Sequence, residues 1–64
     1  MISREEAIQI AKSAMPQPIE NWLVENSVLQ NKVWYIGLRD KQLHKGFEVE
    51  IDAETGKIIG GGGG

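Results

Sequence analysis

Side-chain chemistry needs polar groups that converge, and this chain offers few from which to build such a set. His44 is its one histidine, and it contains no cysteine. A soft-metal site draws on several His and Cys ligands, and nucleophilic catalysis needs a nucleophile beside a base; neither has its parts here. His44 sits in the polar stretch Asp40-Lys41-Gln42-Leu43-His44-Lys45 and reads as a solvated loop residue, not a ligand or general base. Glu48, Glu50, Asp52 and Glu54 alternate and so share one side of an extended segment. Such a row can draw in a cation or a basic partner, and it serves equally as a solubilising face. The residues therefore describe a non-catalytic chain without a cofactor or metal.

Binding remains, and aromatic residues are enriched at binding hot spots. Trp34 falls on an alternation that builds a core. Trp22 follows Pro16 and Pro18, where it either closes the end of the core or makes an exposed contact. Tyr35 and Val33 fall on the opposite alternation to Trp34, on a sheet face that so small a domain cannot cover completely. Tyr35 either meets a partner there or shields the open face. Tyr35, Val33, Trp22, Glu48 and Glu50 together make the candidate partner surface.

The elements that must position these residues can be read from spacing. Ser3 and Glu6 form a Ser-x-x-Glu capping box, and Glu5 and Glu6 put negative charge at the positive end of a helix dipole. Ala7, Ile8, Ala11, Ala14 and Met15 follow at helical spacing with Ile10 at the margin, which predicts one buried stripe, kept low by alanine. Pro16 and Pro18 end the helix. Trp22 to Leu29 favours a strand, with Glu25-Asn26-Ser27 as the place for a bulge. Gln30-Asn31-Lys32 is short enough for a hairpin turn before a second strand, Val33 to Arg39, with Trp34, Ile36 and Leu38 facing the helix. Phe47, Val49 and Ile51 alternate strictly with Glu48 and Glu50, which predicts a third strand. Asp52 can bond amides ahead of it, Gly56 can take a left-handed conformation, and Lys57-Ile58-Ile59 can add a short last strand. The expectation is an α+β fold: an N-terminal helix packed on an antiparallel sheet of three to four strands, in residues 1–59.

Charge and length narrow the partners. Seven Lys/Arg against nine Asp/Glu give a net charge of −2 with the basic residues scattered, which argues against nucleic acid. The longest apolar run, Val33 to Ile36, is far short of the roughly 20 residues of a membrane span. The opening Met1-Ile2-Ser3-Arg4-Glu5-Glu6 carries acids where an export signal needs a basic patch and an apolar stretch, so none is expected in the chain as written. A homodimer through an exposed strand edge suits so small a sheet.

Two segments resemble the PepSY family, a small domain of thermolysin-type protease propeptides and of many bacterial exported and membrane-associated proteins. Ile2 to Ala11 is similar to the family's helix start, and Phe47 to Ile59, with its Asp-x-x-Thr-Gly-Lys turn, is similar to its closing hairpin. The resemblance implies a helix across an antiparallel sheet and a protein- or peptide-binding role, with restraint of a peptidase as one form of it. It also implies a family that is often extracytoplasmic. Gly60 to Gly64 lies outside the pattern and is expected to be a disordered tail, since glycine loses much conformational freedom on ordering. A Gly-Gly terminus also resembles ubiquitin-like sulfur carriers, although those begin with a hairpin and not a helix. A carrier, or a structural module of a longer protein, is the alternative.

Overall fold

The computed structural model describes residues 1–63. Helix α1 (Arg4–Ser13) and a short helical turn (Ile19–Asn21) precede four strands: β1 (Trp22–Gln30), β2 (Val33–Asp40), β3 (Gly46–Asp52) and β4 (Ile58–Gly63). The strands pair antiparallel in sequence order, and α1 packs on one face of the sheet. The α+β arrangement read from the sequence is the one observed, with the fourth strand present.

The helix begins as its residue types require. The Ser3 hydroxyl accepts from the Glu6 amide at 3.1 Å, and the Glu6 carboxylate accepts from the Ser3 amide at 2.9 Å, which closes the capping box. The Ser3 amide, donating to the Glu6 carboxylate, and secondarily the Ser3 side chain hold that carboxyl below its usual value of 4.5. Ala7 and Ala11 are fully buried against the sheet, and Ile8, Ile10 and Met15 pack around them. Ala14, expected in the stripe, is exposed: α1 stops at Ser13, and the chain turns away toward Pro16 before another helical turn can form.

Pairing partners share a face, so the register sorts every strand residue. Trp22, Ile36, Leu38, Val49 and Ile51 point toward the helix and are buried with Ala7 and Ala11. The bulge expected near Glu25-Asn26-Ser27 appears as a register shift between Val24 and Asn26. It reverses the phase of β1: Leu23 before it and Val28 after it both face away from the helix, opposite Arg39 and Tyr35. Asn31 and Lys32 turn the first hairpin with positive φ at both residues, the backbone of a tight two-residue reversal.

The remaining two hairpins are built alike. Asp52 accepts at one carboxylate oxygen from the amides of Glu54 and Thr55, its carbonyl accepts from Gly56, and its own amide donates to the Lys57 carbonyl. Asp40 repeats every bond, with Gln42 and Leu43 on its carboxylate, His44 on its carbonyl and the Lys45 carbonyl on its amide. In both turns the fifth residue is left-handed, Gly56 at φ 79° and His44 at φ 56°. Glycine takes that conformation freely; histidine does not.

The glycine-rich end departs from expectation. Gly60 to Gly63, expected as disordered tail, continue β4 and pair with Glu50, Val49, Glu48 and Phe47, while Gly64 lies outside the described residues. The reason is the neighbour: β3 offers a row of main-chain donors and acceptors on that side, and a chain turned back at Gly56 is already aligned to meet them. The ring of Phe47 lies against Gly63 and covers it.

Two expectations follow. In an NMR pH titration the Glu6 carboxyl inflects below 4.5, and Ser3→Ala, which keeps the donating amide, returns it only part of the way. Because the folded value is the lower one, the helix contribution is complete above the unfolded value and fades as pH falls through the folded one; a Glu6 carboxyl that inflects at or above 4.5 in the unaltered chain would sever this link. The paired turns predict opposite outcomes. His44→Gly relieves about 1–2 kcal/mol of left-handed strain and returns about 0.5–1 to the unfolded chain, so the melting temperature rises by a few degrees. Gly56→Ala has room beside Ile10 and Ile2 yet must adopt the same φ, so it lowers the melting temperature. Equal signs for the two substitutions would break the equivalence of the turns.

Candidate functional site

With α1 on one face, the other face of the sheet carries the side chains for which no element of the domain supplies a cover. Reading across it, Leu23 stands opposite Arg39, Val28 opposite Tyr35, and Val33 opposite Gln30. On the far side of β2, Tyr35 faces Glu50, Gly37 faces Glu48, and Val33 faces Asp52. The face is therefore divided. Its β1–β2 half groups Val28, Val33 and Tyr35 in an apolar stripe, with Leu23 set apart from them by the Asn26 side chain, which lies over Gly37, and by the Arg39–Glu25 pair; Leu23 and Val28 are about half exposed at 48% and 49%. Its β3 half is acidic.

Four of the five residues read as a partner surface come together here: Tyr35, Val33, Glu48 and Glu50 share the open face. Trp22 does not. It is only 4% exposed, on the helix side, where its indole donates to the Pro16 carbonyl at 2.8 Å and meets the Phe47 ring edge-on at 5.4 Å. A large apolar ring with one donor is best satisfied this way, its body in the core and its N–H on a carbonyl that would otherwise be unpaired. Trp22 is accordingly withdrawn from the surface. Leu23 and Val28 lie on the open face instead; spacing could not place them on one face, since without a bulge they fall on opposite faces.

The four alternating acids also separate. Asp52 is tied into its turn, and Glu54 lies 3.9 Å from Lys32. Across the open face Arg39 pairs with Glu25 at 2.6 Å. These are the ion pairs of the described residues, and neither takes in Glu48 or Glu50. Two carboxylates thus lie beside an apolar stripe without a cation of their own. That arrangement suits a partner presenting apolar groups flanked by Lys or Arg.

Among the described residues no group of three or more His, Cys, Asp or Glu side chains is arranged to hold a metal ion. His44 lies exposed in the β2–β3 turn, where it contributes a left-handed backbone position. Among the described residues no helix is long and apolar enough to cross a membrane. Gly60 to Gly63 are engaged in β4, so the described glycines do not form the free, extended terminus that a sulfur carrier presents.

The family model for the peptidase propeptide and YPEB domain, PepSY, matches residues 1–61. No curated protein and no solved structure matches the chain. PepSY domains are generally non-catalytic propeptide or regulatory modules. The match spans α1 and all four strands as far as Gly61, including both segments that resemble the family in sequence, and the chain belongs to the PepSY family.

Proposed function

We propose that this domain is a non-catalytic protein-binding module that restrains a peptidase through the open face of its sheet. Family membership supports the association with a peptidase, and the position of the apolar stripe supports the face. The observation that carries the reading is the juxtaposition of Val28, Val33 and Tyr35 with two acids free of ion pairs, on a face the domain does not cover. Tyr35 stands near the middle of that face, with neighbours on both sides across β1 and β3. A central aromatic surrounded by weaker contacts is the usual plan of a binding hot spot. The partner's complementary surface is apolar and basic.

Titrating thermolysin-type and other bacterial peptidases with the purified chain tests this directly through residual activity. Saturable inhibition of at least one is expected, weakened about tenfold or more by Tyr35→Ser, with the cooperative melt retained. No inhibition of any peptidase, or inhibition indifferent to Tyr35→Ser, overturns the reading.

A further inference from the structure

A second unfilled feature lies at the β4 edge, on the helix side. Between the end of α1 and β4 runs an apolar groove of about 440 Å³, walled by Ala14, Met15, Phe47, Val49 and Ile58. It exists because the positions of β4 that face the helix beyond Ile58 are Gly61 and Gly63, opposite Val49 and Phe47. The positions that face away are Gly60 and Gly62, opposite Glu50 and Glu48. β4 beyond Ile59 is thus held by main-chain bonds and by the covering ring of Phe47, with no side chain of its own to pack or pair. Glycine also gives up more conformational freedom in a strand than any other residue. Nor can the segment gain a side chain at Gly61 where it stands. Gly61 holds φ 150°, and a Cβ there would run into the Glu48 carbonyl.

We propose that the position of Gly60–Gly63 is an exchangeable strand site, taken by an extended segment of a partner in which apolar residues alternate with Lys or Arg. The register dictates the pattern. A strand antiparallel to β3 turns alternate side chains into the groove and sets the intervening ones against Glu48 and Glu50, which have no ion pair within the described residues. Main-chain bonds to β3 are regained by the incoming strand, so the exchange adds side-chain packing and two charge pairs to what the glycines supply. The strictly alternating segment of a second copy, Phe47 to Ile51, does not fit, because it carries Glu at the polar positions and would set acid against acid. The site shares Glu48 and Glu50 with the open face but none of its apolar residues, and it does not depend on a peptidase being the partner.

The test uses the full chain and three synthetic hexapeptides: alternating Val-Lys, alternating Val-Glu, and a block peptide of three Lys followed by three Val. Binding is followed by amide hydrogen exchange and by a titration. The Val-Lys peptide is expected to bind saturably, with the β4 glycine amides losing protection while those of Val49 and Ile51 keep theirs. The Val-Glu and block peptides should bind at least about tenfold more weakly. The double variant Glu48→Lys, Glu50→Lys should exchange the preference and bind the Val-Glu peptide, a gain that a misfolded chain cannot show. Absence of Val-Lys binding, glycine amides that stay protected at saturation, or a preference unchanged in the double variant each overturns the proposal.

Discussion

A single short helix can cover only one face of a four-stranded sheet, and the rest of this molecule is arranged around that limit. Ten residues rise about 15 Å along a helix axis, close to the roughly 14 Å that separates the outer strands of such a sheet. α1 is therefore the right size for one face and leaves nothing for the other. Its buried residues are alanines, so the helix approaches the sheet closely and Ile36, Leu38 and Ile51 can be sealed completely under a thin layer. The opposite face must manage in water with what the strands provide. β3 does so by placing Glu48 and Glu50 outward; β1 and β2 place Leu23, Val28, Val33 and Tyr35 there instead. The asymmetry between the halves makes this face a surface with a direction, apolar on one side and acidic on the other.

The helix is held where it is by the two tryptophans, one at each end. The Trp34 indole donates to the carbonyl of Ile2, just before the N-cap, and the Trp22 indole donates to the carbonyl of Pro16, just beyond the C-cap. Each ring packs against the core while its N–H satisfies a carbonyl flanking the helix. Ile2 is anchored again through its amide, which donates to the Ala53 carbonyl at 2.7 Å, and Ala53 in turn donates to Lys32. Helix start, first hairpin and last turn are thereby linked through consecutive main-chain bonds. The Asp40 turn makes the corresponding bond from Lys41 to Asn21 at the opposite end of the sheet. Bonds of this kind contribute about 1 kcal/mol each, a sizeable share of the margin in a domain without disulfides.

What was legible in the sequence was what local chemistry decides. The capping box, the proline stop, the alternation of β3 and the Asp52–Gly56 turn each carry their signal in residue types at fixed offsets, and each is present. What was not legible depends on a neighbour. The glycines of β4 carry no strand signal, and the open edge of β3 decides their state. Trp22 reads equally as cap or contact until Pro16 is seen to place a carbonyl above its indole. Leu23 and Val28 are joined by a bulge whose phase, not its existence, is what matters. The left-handed His44 was concealed because histidine does not announce that conformation. Its trace lay in the common spacing of Asp40 to Lys45 and Asp52 to Lys57, which only the second turn, with its glycine, makes readable.

The magnitudes indicate why the apolar stripe and the acids belong together. Full burial of a Val, Leu or aromatic side chain is worth about 1.5–3 kcal/mol, and the four apolar residues of this face are already partly covered, so a partner gains about half of that from each. The total, about 3–6 kcal/mol, lies at the lower end of the cost of associating two proteins. The stripe alone is therefore near break-even, which lets the domain expose it without sticking to other apolar surfaces. Glu48 and Glu50 shift that balance for one class of partner. Opposed to a basic surface they speed encounter and reward correct register; opposed to an acidic or neutral one they impose desolvation without return. On the proposed reading, the β3 carboxylates would supply the selectivity of this face and its apolar residues the affinity, and neither would suffice without the other.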